Sequence, residues 1–276
     1  MGSQSPHHPP ESYPAAGYFR SGLPYNRFGL GLRPLVIFQG LMFENKPQSG
    51  MVNRMYSFLG HDYTVYSVLR RPGMPQGYTL CDMANDYATM IREEFGGPVD
   101  ILGVSTGGSL VQQFAADHPD LVHRLVIHSS AYRLSEKARA LQLEVGRLAT
   151  QRRWRAAWAT LLRFTLQPAW LAGPLSGFVA LILSLDTPQD PSDLIITIAA
   201  EDQFDFKARL AEITAPTLVI AGERDPFYTP ELFRQTAAGI PDARLILCPG
   251  MGHPATGKQF ARDVLAFLQE SQPGQK

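Results

Sequence analysis

Cysteine is scarce in this chain: 276 residues contain two, Cys81 and Cys248, far apart and with no C-x-x-C spacing. Neither a disulfide framework nor a zinc site is indicated, and both residues read as small apolar fillers. Charge of one sign is not in excess either, since 25 basic residues stand against 25 acidic ones. Nothing in that balance favours a polyanion such as nucleic acid. A secretory signal is missing, because residues 1–14 are rich in Pro, Ser and His with no basic region followed by an apolar run, so the default setting is cytoplasmic. Gly2 is not followed by the Ser or Thr that a lipidation motif needs, since Pro6 stands there. The longest uncharged stretch, Phe164 to Leu185, has the length of a membrane span, but Pro168, Gly173, Pro174 and Gly177 interrupt it. No stable membrane insertion is expected from it. What the chain does have is 45% apolar and only 18% charged residues, ample material for a buried core.

From about Arg33 onward, short β-branched runs alternate with longer amphipathic segments, the pattern of a mostly parallel, doubly wound α/β sheet. Strands are expected at Pro34 to Gln39, Tyr63 to Leu69, Val99 to Val104, Arg124 to His128, Pro216 to Ala221 and Ala243 to Cys248. Their nearly continuous apolar character suits strands covered on both faces. Helices are expected at roughly Gln48 to Leu59, Leu80 to Phe95, Thr106 to Asp117, Pro230 to Ala238 and Lys258 to Gln269. The alternation breaks between Arg133 and Phe206, where Leu, Ala, Arg and Trp dominate and only Leu194 to Ile198 could pass for a strand. The chain is therefore divided into a flexible tail (1–15), an α/β core (16–132 and 206–276) and a helical insertion (133–205). Trp154, Trp158, Leu161 and Leu162 recur with helical period in that insertion, beside arginines that form either a solvated face or an attraction for an anionic ligand or surface.

Gly103-Val104-Ser105-Thr106-Gly107 forms G-x-S-x-G where a buried strand ends and an amphipathic helix begins. A nucleophile elbow needs that strand-turn-helix context, with glycines on both flanks because the turn is too sharp for bulk. The alternative of a phosphate cradle fails for want of a lysine between Gly108 and Ser109. A nucleophilic serine needs a base, and the base needs an orienting acid. Asp225 and His253 follow the strands Pro216 to Ala221 and Ala243 to Cys248, so all three residues lie past the carboxyl ends of parallel strands, where open α/β sheets place their sites. Glu223, two residues before Asp225, is a competing orienter. His118, His123 and His128 are spaced by five, which suits neither a helix face nor a strand face for metal binding.

The segments PLVIFQG, VDILGVSTGG, FAADHPDLVHRLVIHSS, ITAPTLVIAGERDP and GMGHP together resemble the α/β-hydrolase superfamily over roughly Pro34 to Leu268. The resemblance implies that Ser105 attacks a carbonyl, His253 carries the proton and Asp225 holds the imidazole tautomer. It also implies an oxyanion hole made by the backbone N–H groups of Thr106 and Leu41, with Gln39 standing where the family commonly has histidine. The insertion would be a helical cap, with Trp170, Phe178 and Leu181 available to line an acyl pocket. Members with aspartate at the elbow, the haloalkane dehalogenases and epoxide hydrolases, are disfavoured by Ser105. No metal or organic cofactor is implied, and the expected partner is a small-molecule ester or related carbonyl substrate. The expected activity is that of a carboxylesterase. A carbon–carbon bond hydrolase, a cofactor-free perhydrolase or acyltransferase, and a non-catalytic binding scaffold are the alternatives.

Overall fold

A computed structural model of the chain describes residues 15–47, 50–165, 179–184 and 188–270. The tail residues 1–14, with His7 and His8, lie outside that description, as do Trp170, Phe178 and most of the stretch from Phe164 to Leu185. The described strands are β1 (Ala16–Tyr18), β2 (Pro24–Phe28), β3 (Arg33–Phe38), β4 (Tyr63–Val68), β5 (Val99–Val104), β6 (Val122–His128), β7 (Thr217–Gly222) and β8 (Ala243–Cys248). They form one eight-stranded sheet in the order β1-β2-β4-β3-β5-β6-β7-β8. From β4 to β8 the pairing is parallel, while β2 pairs antiparallel with β4 and β1 antiparallel with β2. The labelled helices are α1 (Met51–Met55), α2 (Leu80–Phe95), α3 (Thr106–Asp117), α4 (Glu136–Thr150), α5 (Trp154–Thr165), α6 (Ser192–Asp202), α7 (Pro230–Gly239) and α8 (Lys258–Gln269).

Alternate residues of the central strands feed opposite faces of the sheet. Val36 and Phe38 of β3, Ile101 of β5, Ile127 of β6 and Val219 of β7 pack with α2, α3 and α7 in one cluster. Their neighbours Leu35, Ile37, Leu102, Val126 and Leu218 join Phe260, Val264 and Leu268 of α8 in a second. Both faces are covered, which is why most positions of these strands are apolar. Helix ends are set locally. Thr79 and Asp82 make a capping box at the start of α2, and Gly96 closes that helix in the left-handed region at φ 69°.

The sheet agrees with the sequence expectation, and the differences have physical causes. Leu194 to Ile198 belongs to α6 and not to a strand: the apolar run is short enough to suit either structure, and its Leu194 and Ile198 lie on one helical face. The helix expected over Gln48 to Leu59 is reduced to α1 and a 3-10 turn at Ser57–Leu59. The hairpin β1-β2 was not anticipated, since Ala16–Tyr18 is a short edge strand.

α4, α5 and α6 all lie between β6 and β7 and share a third cluster of Val145, Leu148, Trp154, Ala157, Leu194 and Ile198 with Phe43 from the loop after β3. Phe43 stacks on Trp158 at 3.8 Å between ring centroids. This helical segment therefore packs on a loop at the carboxyl edge of the sheet.

Candidate active site

β3 has β4 on one side and β5 on the other, so the order of the chain reverses there. The loops leaving β3 and β5 diverge at this point and open a crevice at the carboxyl edge. Ser105 leaves β5 into this crevice and caps α3 with φ 55° and ψ −124°. A positive φ in a non-glycine residue costs about 1–3 kcal/mol and persists only where neighbours determine it. Here the Ser105 N–H donates to the His128 carbonyl at 3.0 Å, and the Ser105 carbonyl accepts from Gly108 and Ser109 at 2.7 and 3.3 Å. The flanking glycines are required by contact. A Cβ on Gly103 would lie 2.4 Å from the Gly107 carbonyl oxygen, and one on Gly107 would lie 2.0 Å from that of Phe38.

The loops after β7 and β8 are laced together, with Glu223 N–H donating to Cys248 at 3.0 Å and Arg224 N–H to Met251 at 2.8 Å. That lacing brings Asp225 against His253. Asp225 Oδ2 faces His253 Nδ1 at 2.7 Å, and His253 Nε2 faces Ser105 Oγ at 3.0 Å. Asp225 Oδ1 is taken up by the N–H groups of Phe227 and Tyr228 at 2.8 and 3.2 Å. An ionised carboxylate only accepts, so Nδ1 carries the hydrogen and the Nε2 lone pair is left for the serine hydroxyl. The Asp225 and His253 side chains are 0% and 7% exposed. Glu223 is occupied elsewhere, accepting from Gly250 N–H at 3.3 Å.

Aromatic rings complete the surroundings. Phe227 lies 4.4 Å from the His253 ring and meets Phe164 of α5 edge-on at 4.9 Å, so the helical segment reaches the histidine side of the crevice as well. Leu41, just beyond β3, packs against the third cluster, and Thr106 opens α3 with its side chain 1% exposed as a residue. Neither the Leu41 nor the Thr106 N–H has a backbone acceptor among the described residues. Leu181 is 43% exposed, unlike a pocket-lining residue.

The supporting roles of three buried polar residues around the site escaped the sequence reading. Glu201 of α6 accepts from Thr106 Oγ1 at 2.8 Å, Ser109 Oγ at 2.9 Å and Gln142 Nε2 at 3.1 Å. Burial raises its pKa, opposed by those hydrogen bonds and by the charge of Arg70. Its signal in the sequence is a carboxylate seven residues after Leu194 and three after Ile198, on the apolar face of a helix. Arg70, beyond the end of β4, donates to the carbonyls of Gln39 and Gly40. His128, at the end of β6, takes the Tyr56 hydroxyl on Nδ1 at 2.7 Å and donates from Nε2 to the Ala255 carbonyl at 2.8 Å. With Ser129 Oγ accepting from Ala255 N–H at 3.1 Å, it holds the loop that carries His253.

Burial pushes the His128 pKa down to about 3. The folded state therefore keeps this imidazole neutral, whereas the unfolded chain takes up a proton near the ordinary histidine value of about 6.5. The stability is present above that value and falls as the pH drops from it toward 3. The loss is about 1.4 kcal/mol per pH unit, roughly 2 kcal/mol at pH 5. Urea unfolding at pH 7 and pH 5 should show this slope in the wild type and a shallower one in His128→Gln. Equal slopes would refute the assignment.

The other histidines lie apart, His118 on Asn85 and His123 on Asp100. Among the described residues no three His, Cys, Asp or Glu side chains come together as a metal site would require. Nor is any described helix long and apolar enough to cross a membrane. Arg133, Arg139 and Arg147 of the helical segment pair with Glu136, Asp202 and Glu144. Arg152, Arg153, Arg155 and Arg163 line a cavity of about 550 Å³ that none of Ser105, Asp225 and His253 borders.

Known proteins bear out the architecture. RutD from Serratia proteamaculans (strain 568), named as a candidate carbamate hydrolase, is 26% identical over 247 residues, covering 83% of this chain and 87% of its own. A 2-hydroxy-6-oxononadienedioate/2-hydroxy-6-oxononatrienedioate hydrolase from Pseudomonas putida is 43% identical over 68 residues, 24% of each chain. Among solved structures, the alpha/beta hydrolase enzyme MGS-M2 from a Medee basin deep-sea metagenome library superposes with a TM-score of 0.77 at 18% identity, covering 92% of this chain and 97% of its own. The sequence profile of the Alpha/beta hydrolase family matches residues 36–265, and the chain belongs to that family.

Proposed function

We propose that this hydrolase is a serine enzyme of the carboxylesterase type, cleaving esters of small or medium acyl groups through an acyl-enzyme on Ser105. One observation carries the reading: the hydrogen-bonded chain from Asp225 through His253 to Ser105, at 2.7 and 3.0 Å, on a serine held in strained backbone geometry. In this reading His253 Nε2 takes the hydroxyl proton as Ser105 Oγ adds to the ester carbonyl carbon. The carbonyl oxygen becomes an oxyanion and receives hydrogen bonds from the N–H groups of Thr106 and Leu41, aided by the positive end of α3. The imidazolium then protonates the departing alkoxide as the C–O bond breaks. Water, deprotonated by His253, attacks the acyl carbon in the second half, and Ser105 recovers its proton. Asp225 stays ionised throughout and fixes the ring. Residues 133–205 act as the cap of the core formed by 16–132 and 206–276, an assignment supported by the contacts of Phe43 with Trp158 and of Phe227 with Phe164.

The test is intact mass after incubation with a fluorophosphonate, together with release of p-nitrophenol from acetate to octanoate esters. A single adduct absent from Ser105→Ala, with ester turnover, is the expected result. A folded protein with neither adduct nor turnover would instead be a binding scaffold.

The 43% identical segment of the Pseudomonas putida hydrolase favours a second reading with the same three residues. Hydrolysis of a vinylogous diketone breaks a carbon–carbon bond, and faster turnover of such a compound than of p-nitrophenyl esters would select that chemistry.

A further inference from the structure

Arg70 is 1% exposed and heads the largest fully buried side chains among the described residues. A guanidinium stays charged under all ordinary conditions, and a charge removed from water survives only where hydrogen bonds and counter-charges replace the water. The hydrogen bonds are specific. Nη1 donates to the Gln39 carbonyl at 3.0 Å and Nη2 to the Gly40 carbonyl at 2.8 Å, so the fork grips two consecutive peptides of the loop that leaves β3. The opposing charge is supplied by the carboxylates of Glu201 and Asp193, both on α6. Asp193 is itself tied to the loop after Arg70, accepting from the Gly73 and Met74 N–H groups at 3.0 and 2.9 Å.

The Gly40 carbonyl and the Leu41 N–H are the two ends of one trans peptide, and in a planar trans peptide they point in opposite directions. Clamping the oxygen therefore directs the hydrogen to the far side of the loop, and a cationic donor on the oxygen polarises the N–H further. Gly40 lies directly beside the serine: a Cβ built on it would stand 3.3 Å from Ser105 Cβ and 3.9 Å from Ser105 Oγ. Gln39 is tied into this arrangement through its backbone, its carbonyl accepting from Arg70 and its N–H donating to the Val68 carbonyl at 3.2 Å, while its buried side-chain nitrogen has no partner among the described residues.

We infer that Arg70 is a positioning residue that holds the Gly40–Leu41 peptide so that the Leu41 N–H donates to the oxyanion formed when Ser105 attacks. This rests on the reading of Ser105 as nucleophile. It accounts for the departure at position 39: the loop is supported from the end of β4 by Arg70, and the side chain of residue 39 is released from that duty. Arg70 touches no substrate, so its loss should leave ground-state binding alone and weaken only states that carry the oxyanion.

The experiment compares wild type, Arg70→Met and Arg70→Lys, each checked by circular dichroism and thermal unfolding. Three quantities are read: kcat and KM for p-nitrophenyl acetate, and the inhibition constant of phenylboronic acid, which forms a tetrahedral adduct on an activated serine. Arg70→Met, which keeps apolar bulk and loses both donors, is expected to lower kcat by on the order of 10² to 10³ with KM little changed. Phenylboronic acid should weaken in step with kcat, and Arg70→Lys should recover part of both losses. A merely structural role would degrade stability without a selective loss of kcat and boronate affinity. Folded Arg70→Met with wild-type kcat overturns the inference, as does a loss confined to KM. Should Arg70→Met not fold, Arg70→Lys decides by the same criterion: a parallel fall in kcat and boronate affinity supports the role, and wild-type values for both overturn it. Failure of the wild type to form a fluorophosphonate adduct overturns the nucleophile reading itself, which separates the two failures.

Discussion

Ser105→Ala and His253→Ala should each lower kcat/KM by on the order of 10⁴ to 10⁶, and the double variant should be no worse than either single one. The reason is mechanical interdependence. Without the hydroxyl, the imidazole lone pair 3.0 Å away has no proton to take, and without the imidazole the hydroxyl keeps its proton. What remains in all three variants is binding and whatever the two backbone N–H groups stabilise. Losses that multiplied in the double variant would mean that the residues act separately, and the relay would be wrong. Asp225→Asn extends the argument. Because Oδ1 is already occupied by the N–H groups of Phe227 and Tyr228, the amide of asparagine must turn its NH₂ toward Nδ1. That forces Nδ1 to accept, places the ring hydrogen on Nε2, and points it at Ser105 Oγ. A fall of about 10⁴ in kcat in an otherwise intact protein is expected. Glu223→Gln should cost far less, since Glu223 bonds a backbone N–H of the neighbouring loop and not the imidazole.

The second large effect is on folding. Gly107→Val puts a Cβ 2.0 Å from the Phe38 carbonyl oxygen, 2.6 Å from its carbon and 2.7 Å from the Gln39 oxygen. All three are backbone atoms at the end of β3, a strand hydrogen-bonded on both sides by β4 and β5 and buried on both faces. Nothing there can swing aside, as a side chain could. Either β3 shifts and disturbs two ladders, or α3 lifts off the sheet and carries Ser105 with it. The cost should exceed about 4 kcal/mol. Against a total stability of roughly 5–15 kcal/mol, that would leave little soluble folded protein. Gly97→Ala is the control, because nothing lies within 4 Å of a Cβ at that position. Its urea midpoint should barely move, and a similar loss at both positions would sink the packing argument.

Some of this architecture is legible along the chain because it depends on neighbours in sequence. A buried parallel strand is a nearly unbroken apolar run, and the turn after β5 needs glycine two residues either side of Ser105. Asp225 and His253 each follow the end of such a run. Those features follow from local periodicity and backbone sterics, so one dimension is enough to show them, and the three residues that the fold joins by hydrogen bonds can be picked out on that basis. Where local information is ambiguous the reading failed. Leu194 to Ile198 satisfies a strand and a helix equally over five residues, and only packing of Leu194 and Ile198 against Trp154 and Phe43 decides for the helix.

The polar residues that support the site were beyond reach for a different reason. Arg70 meets carbonyls 31 and 30 residues away, Glu201 meets hydroxyls 95 and 92 residues away, and His128 meets Ala255 across 127 residues. A charged residue in a sequence looks solvated until the fold shows that its water has been replaced. Sequence alone thus determined the six parallel strands, the sharp turn at Ser105 and the chain order of serine, aspartate and histidine, since these follow from short-range pattern. Tertiary structure decided which carboxylate faces the imidazole, that Phe164 of α5 meets Phe227 beside the imidazole, and that the loop bearing Gln39 is held by a buried guanidinium. These are long-range pairings, and their energetics depend on burial that only the folded chain creates.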